Sequence, residues 1–334
     1  MTRLLTSLVL LGVACSGEDT FVPGVVRTLP PWDTATPDTA DTADTADTAD
    51  TADTADTADT ADAADTADTG PTCVDYAELV ADCAGQVVLV DGGGSYYDGI
   101  DPSSAALALD LHALIAGHVP VTYDDLWEVF PLTDARDDGS VWDVYSDPGD
   151  GSEPPYTYAF VDDQCGEYDR EGVCFNREHL WPKDWYDGLA PMRSDLHNVL
   201  PVDGYVNSIR SNHPFGPVGS DIWTSANGSL RGTSSLCDYH GEVFEPIDAY
   251  KGDIARAMLY MAIRYRGEDD AWSTSAATDK AHLEPWFEQV MVAWSLLDPV
   301  SDKEGARNDG VEAIQGNRNP FVDHPEYVCG ISDF

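Results

Sequence analysis

The chain has 334 residues and carries 61 acidic against 17 basic side chains, a formal charge of −44. Twelve of the aspartates lie between Asp33 and Gly70, which leaves −32 on the remainder. A field of that sign repels phosphates and forgoes counterion release, so it excludes a protein that holds nucleic acid by bulk charge alone.

Residues 1–15 place Arg3 before an apolar run, Leu4 to Val13, and then Ala14 and Cys15. This is the layout of a secretory signal, too short to span a bilayer as a helix. The tetrad Gly12-Val13-Ala14-Cys15 resembles a bacterial lipoprotein cleavage site, where the Cys is lipidated. Gly12 departs from the usual Leu, and an ordinary signal peptide cleaved nearby is the alternative. Residues 16–72 are expected to be a disordered acidic linker, because repeated Asp-Thr-Ala units offer no apolar surface to offset the entropy of ordering. One charge every three residues makes such a spacer repel itself and extend.

Residues 73–334 form the expected body. Of seven cysteines, Cys15 suits the lipid and six remain, an even number that suggests three disulfides in a secreted chain. Proximity favours Cys73 with Cys83 and Cys165 with Cys174, leaving Cys237 with Cys329. The absence of a CxxC pair argues against structural zinc.

Asp101-Pro102 reads as an N-cap and first turn, followed by Leu107, Leu111, Leu114 and Ile115 at helical spacing, ending near Gly117. Thr122 to Phe130 reads as a second short helix and Val141 to Tyr145 as a brief strand. The stretch from there to Cys165 is rich in Gly, Pro and Asp and should be irregular. Further on, Asp253 is expected to cap a helix carrying Ile254, Met258, Met261 and Tyr265. Glu284 to Leu297 reads as another, with Trp286, Val290, Ala293 and Leu297 on one face. The fold class is α+β, helix-rich and disulfide-stabilised.

The chemistry concentrates in Asn176 to Phe215. Glu178 and His179 sit on an expected strand and Asn207 on an expected helix. A carboxylate and an amide oxygen suit Mg²⁺, with Ca²⁺ or Mn²⁺ as alternatives, and an imidazole can take a proton from water. Neighbouring strand residues point to opposite faces, so a bulge, a twist or contact from the strand's end must bring Glu178 and His179 to one site. Singly, each residue is more often structural. The density of polar residues in the segment, from Arg177 through Asp195, His197, Asn198, Arg210 and Asn212, raises the case. His197 is either a partner of the metal site or a buried hydrogen-bonded His, and Asp195 caps the turn beneath it. Trp181 and Trp185 read as core rather than as base-stacking residues. Asn317, Arg318, Asn319, Asp323 and His324 are expected to brace the C-terminal tail.

The motifs NREHLWPK at 176–183, SDLHNVLP at 194–201 and DGYVNSIRSNHPFG at 203–216 resemble the bacterial endonuclease I family of secreted nucleases, within the ββα-metal superfamily. The resemblance extends to VWDVYSD at 141–147, GDIARAMLYMAIRY at 252–265 and QGNRNPFVDHPEY at 315–327. It implies a ββα-metal finger and a non-specific metal-dependent endonuclease that leaves 5′-phosphate ends on DNA, and on RNA in many members. His179 would activate water, and Glu178 and Asn207 would bind one Mg²⁺. Some members carry a long insertion after the Glu-His pair that supplies an Arg to the scissile phosphate. It is absent here, so Arg193 or Arg210 would have to serve, with Arg210 preferred because it lies one helical turn from Asn207. Lys183, Arg193 and Arg210 are expected to gather as a local positive cleft. The protein would be a monomer, secreted to the periplasm or held at the cell surface by a lipid on Cys15. An RNA-preferring enzyme of the same family is one alternative, and a catalytically silent, acidic, cation-binding surface protein is another.

Overall fold

The structure is a computed structural model that describes residues 73–83 and 94–334. The expected signal segment, the lipid-bearing Cys15 and the acidic linker lie outside the described residues. Within them, helices and small antiparallel sheets alternate, an α+β arrangement. Among the described residues no helix is long and apolar enough to cross a membrane.

The N-terminal helices are α1 (Ala77–Cys83), α2 (Leu107–Ile115) and α3 (Leu126–Thr133). Helix α2 begins later than Asp101-Pro102 suggested. The Asp101 carboxylate accepts from the amide and hydroxyl of Ser103, closing a local turn that competes with helix. Before α3, Thr122 and Asp125 exchange side-chain-to-backbone bonds, so the chain turns at 122–125 before the helix starts. Val141 to Tyr145 is not a strand. Val141 makes one isolated bridge to Ala135, and Asp143 then accepts from the Tyr145 amide and curls the chain.

A hairpin of β1 (Phe175–His179) and β2 (Val199–Asp203) runs directly into α4 (Gly204–Arg210). Asp203 fixes the junction, since its Oδ1 accepts from the Val206 amide as an N-cap while its Oδ2 accepts from the Tyr158 hydroxyl and the Gly172 amide. Helix α4 ends at Ser211, which takes a left-handed φ of 51°. A three-stranded sheet follows, β3 (Val218–Thr224), β4 (Leu230–Ser234) and β5 (Glu242–Glu245), paired in that order.

Helix α5 (Lys251–Arg264) is the central post, its length buried except for Lys251 and Asp253, which are half-buried. It begins before Asp253, which therefore sits in the first turn rather than at the cap. After the two-residue strands β6 (Thr278–Asp279) and β7 (His282–Leu283), α6 (Pro285–Leu297) packs on α5, and α7 (Asp302–Gln315) and α8 (Pro320–Asp323) close the body. Arg256 of α5, fully buried, meets Glu304 of α7 through two bonds of 2.6 Å each. The tail residues brace as expected: Asn317 donates to Ile115 O and Tyr260 Oη, and Asn319 donates to Arg256 O.

Three disulfides are present, Cys73–Cys237, Cys83–Cys329 and Cys165–Cys174, with Cα separations of 4.9, 5.2 and 5.7 Å. Only the last matches the expected pairing. The first two are corrected because Val74 bridges in parallel to Leu236, which sets Cys73 beside Cys237, leaving Cys83 at the end of α1 for the C-terminal turn.

Asp195 is not a simple cap. Its carboxylate accepts from the Tyr260 and Tyr265 hydroxyls, Gln315 and the His197 amide, so it is the hub of a buried network. The His197 ring lies tilted against Tyr260, ring centres 4.4 Å apart, in the same network. Burial pushes its imidazole down to about 4, against the pull of Asp195. In the unfolded chain it returns to about 6.5. The unfolded state therefore binds more protons between those values. The stability His197 contributes is present above about pH 6.5 and is lost as pH falls toward 4, to a total of roughly 3 kcal/mol. Thermal melts at pH 7.5 and 4.5 should show a drop for the native protein and a smaller one for His197→Gln. Equal drops would rule out His197 as a contributor.

Candidate active site

The β1–β2–α4 unit builds the site. Residues Asn176 and Glu178 alternate onto the face of β1 that meets α4. There Asn207 Nδ2 donates to Asn176 Oδ1 at 2.7 Å, and one turn later Arg210 Nη1 donates to Glu178 Oε1 at 3.1 Å. The Tyr145 hydroxyl donates to the same oxygen at 2.8 Å. Glu178 is buried, and burial raises its carboxyl against the lowering effects of Arg210 and Tyr145.

His179 closes the strand, and its ring points elsewhere. Register is continuous through Glu178↔Leu200 and His179↔Val199, so no bulge brings the two side chains onto one face. The imidazole lies parallel to Tyr123 at 5.9 Å and against Tyr186 at 6.4 Å, and the side-chain partners of Glu178 and His179 share no member. Access from the strand's end is the route that remains for both to serve one site. His179 Nε2 lies 2.9 Å from Arg193 O. A carbonyl can only accept, so Nε2 carries the proton and Nδ1 keeps its lone pair. Burial holds this imidazole down to about 4, the charges of Lys183, Arg177 and Arg193 push the same way, and the bond to Arg193 O opposes them.

Two of those three cations pack on the Tyr123 ring beside His179. Arg193 is half-buried with its guanidinium 4.0 Å from the centre of the Tyr123 ring, and Arg177 approaches the same ring at 3.5 Å and Trp127 at 4.5 Å. Lys183 is exposed. Arg210 stands apart from this group at 1 % exposure, its guanidinium donating to Glu178 and to the carbonyls of His179 and Leu180 at 2.8 and 2.5 Å. Trp181 and Trp185 are core residues packed on each other, with Trp181 also against Trp272.

Sequence reasoning passed over Tyr145 and Tyr123. The first lies in Val141 to Tyr145, which reads as a strand, and the second inside Thr122 to Phe130, which reads as a helix, with nothing to mark its ring as a neighbour of His179.

Among the described residues no three His, Cys, Asp or Glu side chains converge for a metal. The donors at the β1–α4 seam are a carboxylate and an amide whose NH₂ is committed to Asn176, which leaves the amide oxygen as the atom that could meet a cation. That set is hard and sparse, and it fits an oxygen-loving cation that keeps most of its water.

The β1–β2 hairpin and α4 thus carry a buried carboxylate, a helix amide and an imidazole, groups that hydrolytic enzymes of the nuclease type employ. Residues 103–326 match the model of the Endonuclease I family. The chain belongs to that family and is an endonuclease. It is similar to the extracellular ribonuclease of Bacillus subtilis (strain 168), 32 % identical over 245 residues, covering 70 % of this chain and 77 % of the relative. The extracellular ribonuclease of Bacillus amyloliquefaciens is 32 % identical over 240 residues, with 70 % and 76 % covered. The extracellular deoxyribonuclease of Aeromonas hydrophila is 32 % identical over 138 residues, covering 41 % of this chain and 52 % of that one.

Proposed function

We propose that this endonuclease is secreted and metal-dependent, and that it hydrolyses phosphodiester bonds of RNA and DNA without sequence preference to leave 5′-phosphate ends. The observation that carries the reading is the tautomer of His179, buried, neutral near pH 7 and with Nδ1 left to accept a proton. In this role His179 takes a proton from the attacking water. Glu178 and Asn207 would hold one Mg²⁺, which when bound offsets the charge that builds on the phosphate and the leaving 3′ oxygen. Arg193, beside His179 and partly open to solvent, is assigned to the scissile phosphate. Arg210 serves from behind, because its guanidinium is spent on Glu178 and on the backbone that carries His179.

Placement outside the cytoplasm draws support from relatives named extracellular and from three disulfides, which persist in oxidising surroundings. A lipid on Cys15 and a monomeric state belong to the same reading. Preference for RNA is favoured by one observation, since the named ribonucleases match 70 % of this chain and the named deoxyribonuclease 41 %. Plasmid nicking and RNA digestion run side by side, with Mg²⁺ and with EDTA, test both points. EDTA should abolish cleavage and RNA should be cut the faster. Cleavage that persists in EDTA removes the metal from the reaction, and faster cutting of DNA removes the RNA preference.

A further inference from the structure

We infer that Tyr145 is a positioning residue for the metal-binding carboxylate: with Arg210 it locks one oxygen of Glu178 so that the other is presented to the cation. The inference rests on the reading of Glu178 as a ligand. Two donors, the Tyr145 hydroxyl at 2.8 Å and Arg210 Nη1 at 3.1 Å, converge on Oε1, and neither touches Oε2. A carboxylate is planar with a fixed angle at carbon, so two bonds to one oxygen settle the direction of the other.

The phenol is itself immobilised. Its direction is set by the backbone, since the Tyr145 amide donates to Asp143 Oδ1, whereas Phe244, its ring centre 5.2 Å away, only packs on the buried ring. Asp143 Oδ2 in turn accepts from the Asp203 amide, where β2 passes into α4. The loop bearing Tyr145 is thus tied to the junction that also sets the start of the helix bearing Asn207, and both ligands are referred to one point. A fold needing only packing here would be served as well by an apolar pair, because a buried ion pair held by a tyrosine offers little net stability. Groups that orient a metal ligand in this way typically govern about 10–100-fold in metal affinity.

The test is calorimetric titration of Mn²⁺, without nucleic acid, into the full protein and the variants Tyr145→Phe, Glu178→Gln and Phe244→Leu, each checked by thermal melt. The expected result is loss of the tight site in Glu178→Gln, affinity lowered about 10–100-fold in Tyr145→Phe, and unchanged affinity in Phe244→Leu. In nicking assays Tyr145→Phe should need correspondingly more Mg²⁺ for half-maximal rate. If Glu178→Gln binds Mn²⁺ as the native protein does, the ligand reading itself fails. If Glu178→Gln loses the site while Tyr145→Phe keeps native affinity, the ligand reading stands and the positioning role falls. An equal loss in Phe244→Leu, or a Tyr145→Phe protein that does not fold, makes the phenol a structural group and overturns the inference.

Discussion

Replacing His179 with alanine is expected to slow cleavage of plasmid and of RNA by about 10²–10⁴-fold, the range a positioned general base supplies. The effect should be confined to the rate. The ring sits between Tyr123 and Tyr186 and makes one polar bond, to Arg193 O, so its removal opens a small void without stranding a charge. Because the imidazole is held down at about 4, it is unprotonated across the neutral range and the loss should be much the same at pH 6.5 and pH 8. Nicking rates at saturating Mg²⁺, read beside thermal melts, decide the matter. A folded His179→Ala protein that cuts at the native rate would sink the assignment of the base.

Arg210→Ala should instead fail as a protein, losing roughly 3–5 kcal/mol, the usual cost of removing one partner of a buried ion pair. Glu178 would be left at 2 % exposure with its charge uncompensated, and the carbonyls of His179 and Leu180 would lose their donor. Urea unfolding followed by circular dichroism measures it as a lower midpoint. A half-exposed arginine whose work is on substrate gives a different pattern, activity lost and midpoint kept, and Arg193→Ala is the natural comparison. Should Arg210→Ala prove as stable as the native chain, Arg210 would return as the residue that meets the phosphate.

The contrast between the two arginines marks where the sequence could be read and where it could not. One helical turn between Asn207 and Arg210 was visible, and so was the strand before the metal-like cluster, because polar residues at that density are improbable by accident. The direction of the Arg210 side chain was not visible. It depends on β1 lying against α4, a contact between segments about thirty residues apart. Helices α2, α5 and α6 announce themselves by apolar residues at helical spacing. Helix α7 does not, because the stripe it buries is Glu304, Arg307, Asn308, Val311 and Gln315, polar at four of five positions. Strand β3 escaped for a related reason. It is exposed along most of its length and shows no alternation of apolar and polar residues. The cysteine pairing holds for the local bridge Cys165–Cys174 and misses the other two on a different account, since proximity in sequence measures the ease of closing a loop and says nothing of which ends the fold brings together.

The bridge from Cys83 to Cys329 spans 246 positions, nearly the whole body. Seen as a covalent graph, everything between those two cysteines belongs to one closed ring. A protease that cuts the backbone once between residues 84 and 328 opens the ring but releases nothing, and a second cut is needed before any fragment can diffuse away. A nick in the exposed β3 segment would therefore leave α4 and α5 on one molecule, joined through the bridges from Cys73 to Cys237 and from Cys83 to Cys329.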